Sequence, residues 1–101
     1  MRKPIDAERL KSAIPPADFY RVELPTMPPP KAESGWMDGG LCPFHPDKHS
    51  GNFRVNADTG AFRCFACGVA GGDIIAFAER HYGLAFADAL AALADAWGVS
   101  A

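Results

Sequence analysis

Residues 62–73 read FRCFACGVAGGD, and the reading of this stretch decides the fold. Two of the chain's three cysteines, Cys64 and Cys67, stand here at Cys-x-x-Cys spacing. An odd cysteine count does not suit a secreted disulfide framework. In a reducing cytosol such a pair binds metal or does redox chemistry. The redox alternative lacks the βαβ context that a thioredoxin-like motif requires.

Upstream, residues 41–49 read LCPFHPDKH and place Cys42 and His45 at Cys-x-x-His spacing. The whole arrangement is C-x2-H-x18-C-x2-C. Zinc takes four tetrahedral ligands from thiolates and imidazoles. Two close pairs on two turns supply them, with Cys42, His45, Cys64 and Cys67 as ligands. His49 is an alternative to His45, which is preferred because its spacing mirrors the second pair. His81 reads as a surface histidine. Gly68 allows the tight turn and close backbone approach that a metal knuckle needs. Four protein ligands leave no position for a catalytic water, so the ion is structural.

Outward from the two pairs, residues 52–65 (NFRVNADTGAFRCF) read as a hairpin, two β-prone runs around a turn-forming NADTG. Pairing Val55 with Phe62 sets Phe53 opposite Cys64 and Arg54 opposite Arg63. Alternation then sends Phe53, Val55, Phe62 and Cys64 to the metal side, and Arg54, Arg63 and Phe65 to the other. Gly71 and Gly72 make the turn into a helix over IIAFAERHY, with Asp73 as N-cap and Gly83 as stop. A second helix covers AFADALAALADAW and ends at Gly98. Phe77, Phe86, Leu90, Leu93 and Trp97 are expected to form an apolar core stripe. GWMDGGLC reads as a short strand, a glycine-rich turn and a return.

The first third is less definite. Residues 4–14 read as a short helix, with Pro4 in its first turn and Ile5, Leu10 and Ile14 as a ragged stripe. Pro15-Pro16 ends it. ADFYRVEL is open between a helical turn and a strand, and residues 25–35, rich in proline, read as a linker. The expected division is residues 1–35 as helix plus proline-rich arm and 36–101 as the zinc-bearing domain. The fold class is α+β: a small zinc ribbon with two C-terminal helices and a short N-terminal helix.

The 101 residues carry a net charge of −2, which excludes a globally basic nucleic-acid binder. Residues 1–34 carry +1, 35–70 are neutral and 71–101 carry −3, so any anion-binding surface is local. Nearly half the residues are apolar, which excludes a disordered tail. No run approaches a membrane span and the N-terminus lacks a signal-peptide core, so a cytoplasmic protein without membrane contact is expected.

Residues 40–99 resemble the N-terminal zinc-binding domain of bacterial and phage DNA primases. The resemblance rests on Cys42, Pro43, Phe44 and His45, then a hairpin, then Cys64, Phe65, Cys67 and Gly68, then Gly71, Gly72 and Asp73, and an alanine-rich last helix. Two departures stand out. DKHSGNF replaces the family's Lys-Thr-Pro-Ser-Phe, and the interval from Gly68 to Gly71 is a residue longer than in chromosomal primases. The resemblance implies a non-catalytic module that binds single-stranded DNA template, with a primase catalytic core or a helicase as protein partner. The acidic polymerase core has no counterpart up to Ala101, so either a domain of a larger primase or a stand-alone relative from a phage or mobile element is expected. Independently, two opposed arginines beside an exposed aromatic make a stacking and phosphate-binding face. Lys48 is a further phosphate contact. Asp88 and Asp95 are candidate neutralising partners for the arginines. With so few basic groups the binding should be weak and salt-sensitive. The other readings are a protein-interaction module with little DNA affinity and a redox protein using Cys64 and Cys67.

Overall fold

A computed structural model describes residues 6–29 and 34–100. Its elements are α1 (Ala7–Ala13), α2 (Pro16–Glu23), β1 (Trp36–Asp38), β2 (Phe53–Asn56), β3 (Phe62–Cys64), β4 (Ala70–Gly71), α3 (Ile74–Tyr82) and α4 (Phe86–Trp97). This is the expected α+β ribbon with two C-terminal helices, to which the structure adds α2, β4 and the pairing of β1.

Asp6 starts α1 by accepting a bond from Glu8 N at 3.1 Å. Pro4 and Ile5, assigned to this helix from sequence, lie outside the described residues, as do residues 30–33 of the proline-rich stretch. Pro15-Pro16 ends α1 and also opens α2, because proline at the first helical position gives up only an N–H that has no partner there. The ambiguous ADFYRVEL is thus helical.

The sheet is antiparallel in the order β1-β2-β3-β4. The central register is the one expected: Phe53 faces Cys64, Arg54 faces Arg63 and Val55 faces Phe62. The turn has its own chemistry. Asn56 Oδ1 accepts from Asp58 N at 2.8 Å and Thr59 N at 3.0 Å, which closes the loop before β3. Instead of a return strand directly after its glycines, β1 pairs with β2, with Met37 facing Val55.

One face of the sheet is the floor of the core. Phe53, Val55, Phe62 and Cys64 are at most 1% exposed. Helix α3 lies on that face, with Ile74, Ile75 and Phe77 buried, and α4 packs against α3. Asp73 accepts from Ala76 N at 2.8 Å, and Gly83 and Gly98 end the two helices in the left-handed conformation, all as expected. One member of the aromatic stripe departs from expectation: Phe86 is 51% exposed. It opens α4 a turn before Ala89, the first residue of that helix that the core covers.

The sequence leaves open whether the first thirty-five residues fold onto the ribbon. Residues 6–29 do. Leu10, Ile14, Phe19 and Tyr20 are fully buried, and each such burial contributes about 1.5–3 kcal/mol. The Phe19 ring meets Phe77 edge-on at 5.7 Å, and the Tyr20 hydroxyl donates to Gly60 O at 2.5 Å, in the turn between β2 and β3. Arg9 Nε donates to Ser100 O beyond α4.

Candidate metal centre and sheet face

The donor atoms of Cys42, His45, Cys64 and Cys67 all lie within 4.8 Å of one another. Two separations test the fit. Cys42 Sγ and Cys67 Sγ are 3.9 Å apart, and Cys64 Sγ is 3.5 Å from His45 Nε2. Zinc–sulfur bonds of about 2.3 Å and zinc–nitrogen bonds of about 2.0 Å put tetrahedral edges at about 3.8 and 3.5 Å. Three thiolates and one imidazole are the donor set of a structural zinc site, and the chain holds one such ion. His49 is outside the group and exposed; its N–H donates to Asp47 Oδ1 at 3.4 Å.

Each ligand pair sits on a shaped turn. In the second, Gly68 N donates to Cys64 O and Cys64 N to Val69 O, both at 2.9 Å. Gly68 has φ +81°, which a side chain would strain. In the first, Phe44 N points at Cys42 Sγ at 3.4 Å, and Cys42 N donates to Asp47 Oδ2 at 2.8 Å. Asp47 was not identified from sequence. The signal was present, because aspartate habitually closes turns on nearby backbone N–H groups. The Cys42 N–H holds the Asp47 carboxyl below the usual range, burial opposes this, and the His49 N–H assists.

As free thiols the buried cysteines differ. Burial pushes Cys42 up to about 12 against the pull of Phe44 N–H. At Cys64 burial also opposes ionisation, but the N–H groups of Cys67 and Ala66 and the His45 ring outweigh it and bring the thiol down to about 7. The turn N–H groups and His45 thus favour the Cys64 thiolate, burial disfavours that of Cys42, and a bound cation favours both.

Phe44 joins the metal turn to the core. Its ring stacks on Phe62 at 5.6 Å and meets Phe77 at 5.4 Å and His81 at 6.0 Å. His81 is accordingly half-buried and packed, a correction to its reading as a surface histidine.

On the opposite side of the sheet, Arg54 is half-buried and Arg63 exposed. Among the described residues neither is within ion-pair distance of a carboxylate, so Asp88 and Asp95 do not neutralise them. Arg63 lies over the Phe65 ring at 4.9 Å, and Phe65 is 64% exposed. Arg54 Nε donates to Gly51 O at 3.2 Å, and Lys48, in the loop before it, is exposed. Gly71, read from sequence as part of the turn into α3, instead ends β4 opposite Phe62, and Gly72 alone leads on to the Asp73 cap of α3.

Comparison with known proteins agrees with this geometry. Residues 31–101 match the CHC2 zinc finger family, the zinc ribbon of DnaG-type primases. DNA primase of Lactococcus lactis is 46% identical over 61 residues, which is 60% of this chain and 9% of that protein. DNA primase of Deinococcus radiodurans is 43% identical over 60 residues, 59% of this chain and 10% of that protein. The crystal structure of the Aquifex aeolicus primase, comprising zinc-binding and RNA polymerase domains, superposes with a TM-score of 0.69 at 28% identity. It covers 90% of this chain and 21% of the other. The match thus spans about a tenth of the Lactococcus and Deinococcus primases and about a fifth of the Aquifex chain, and the matched part is their zinc-binding domain, not the catalytic core.

Proposed function

This chain belongs to the CHC2 zinc-finger family of DnaG-type primases, and from that premise we propose that it is the non-catalytic module that holds single-stranded DNA template for primer synthesis by a primase catalytic core. The observation that carries the reading is the Arg54–Arg63 pair. Like charges directly opposed on a sheet destabilise it by about 0.2–1 kcal/mol. Here they are retained on an open face next to an exposed ring; Asp38 stands opposite Arg54 across β1, but among the described residues no carboxylate is within ion-pair distance of either guanidinium. A phosphate backbone supplies the missing countercharge, and bases stack on the free side of Phe65. Zinc and core hold the sheet that displays them.

Titration of a labelled single-stranded oligonucleotide tests this, using wild type and the Arg54→Ala/Arg63→Ala double variant at two salt concentrations. Two phosphate contacts on a single strand give a slope of log K against log salt of about −1.4, so a fourfold rise in salt weakens binding about sevenfold. Engagement of Lys48 steepens the slope to about −2. The double variant should lose most of the affinity and flatten the slope. Absence of wild-type binding at low salt would remove the DNA reading, and docking to a primase core or helicase through the same fold would take its place.

A further inference from the structure

The exposed face extends beyond the two arginines and Phe65. In β1, Trp36 pairs with Asn56 and Asp38 with Arg54. Trp36 therefore shares the side of the sheet that carries Arg54 and Arg63, and it is 52% exposed. Its neighbour Met37 is the residue of β1 that enters the core, at 5% exposed.

Trp36 and Phe65 occupy opposite corners of this face. Phe65 N donates to Asn52 O, so Phe65 lies level with Asn52, four residues along β2 from Trp36's partner Asn56. Two strand spacings of about 4.8 Å and four steps of about 3.3 Å give a diagonal of roughly 16 Å. Arg54 and Arg63 lie between the two rings. At about 3.4 Å per stacked nucleotide the diagonal accommodates about five nucleotides, and fewer when the strand is stretched.

Resting on the single-stranded DNA reading, we infer that Trp36 is a second stacking platform, so that the strand crosses the sheet diagonally from Phe65 to Trp36 over a site of three to five nucleotides. The two corners do different work. The Phe65 corner is cationic. The Trp36 end carries the carboxylates: Asp58 accepts from Gly35 N at 2.9 Å, and Asp38, two residues along β1 and opposite Arg54, accepts from Gly40 N at 2.8 Å. That end is therefore suited to a base and not to a phosphate. Asn56, the amide nearest Trp36 along β2, has its oxygen engaged by Asp58 N and Thr59 N. Stacking at this corner is through the Trp36 ring face, which tolerates sequence.

The test is anisotropy of labelled oligothymidylates of about two to eight nucleotides at low and moderate salt, with zinc-loaded wild type, Trp36→Ala, Trp36→Phe and the Arg54→Ala/Arg63→Ala double variant. Trp36→Ala should weaken binding about five- to a hundredfold while leaving the salt slope unchanged, because no phosphate contact is lost. Trp36→Phe should retain affinity within about threefold. It should also abolish the quenching of tryptophan fluorescence expected on binding in wild type, since the remaining Trp97 is partly buried and packs against Phe19 of α2. Affinity should stop rising with length near five nucleotides, and sooner in Trp36→Ala. If Trp36→Ala binds like wild type, or binding leaves wild-type fluorescence unquenched, while the arginine variant loses affinity, the inference fails and the DNA reading stands. If wild type binds no oligonucleotide at low salt, both fail.

Discussion

Replacing Gly71 by alanine should destabilise this domain, whereas the same change one residue later should not. Gly71 lies in β4 opposite Phe62 and has no positive φ, so backbone strain is not the issue. Space is. A Cβ at Gly71 would stand 2.3 Å from Phe62 Cε1, 2.5 Å from Cζ and 3.1 Å from Ala76 Cβ. The Phe62 ring cannot swing away, because Phe44 stacks on it at 5.6 Å and Phe77 meets it edge-on at 5.5 Å. Nor can β4 retreat freely, because it is paired with β3 and Cys64 N donates to Val69 O at 2.9 Å just before it. Overpacking of this kind costs about 1–3 kcal/mol. The loss of unfolded-state freedom on going from glycine to alanine returns about 0.4–1 kcal/mol. At Gly72 a Cβ meets nothing within 4 Å, so only the second effect operates there. The two variants should therefore differ by about 1–3 kcal/mol. At about 4–8 °C per kcal/mol for a domain of this size, that is a gap in Tm of roughly 5–20 °C. Thermal unfolding of zinc-loaded protein, followed by circular dichroism, reads it directly. A Gly71→Ala protein that melts at or above Gly72→Ala would refute the packing argument.

The remaining expectations concern the metal turn and the N-terminal helices. Asp47→Ala should weaken zinc binding about ten- to a hundredfold in a chelator competition, as loss of a group that orients a metal ligand does, and Asp47→Asn, which keeps an acceptor, should lose less; equal affinities for all three proteins would show that the Cys42 turn forms without it. Tyr20→Phe should cost about 1–3 kcal/mol, since it leaves Gly60 O without its buried donor, and urea unfolding that leaves the midpoint unchanged would show that the bond contributes nothing. Chelation of zinc should collapse the β-hairpin signal together with both turns; a chelated protein with an unchanged spectrum and melting temperature would mean that the core alone specifies the fold.

The parts of the site legible in the sequence are those governed by short-range chemistry. Ligand spacing in Cys42-x-x-His45 and Cys64-x-x-Cys67 is covalent geometry. The β2–β3 register follows from a turn rich in Asn, Asp and Gly together with strict alternation, and a one-residue slip would have turned Phe53 and Val55 to solvent. Asp73, Gly83 and Gly98 delimit helices by rules that act within one turn. Even the juxtaposition of Arg54 and Arg63 followed from that register alone.

What only the tertiary structure decided depends on contacts between segments distant in sequence. A three-residue strand has no readable face until its partner is known, so the exposure of Trp36 waited on the pairing of β1 with β2. Phe19 and Tyr20 could belong to a helix or a strand until Phe77, Trp97 and Gly60 supplied what they bury against. His81 read as an ordinary surface residue until Phe44 was placed beside it. Phe86 matched the helical period of a core stripe, but period gives direction and not depth, and the first turn of α4 lies beyond the part the core covers. The sequence by itself determined the metal ligands and the hairpin, because bond lengths and turn chemistry act within a few residues. The packing of the remainder was settled by which apolar surfaces met, and no local rule encodes that.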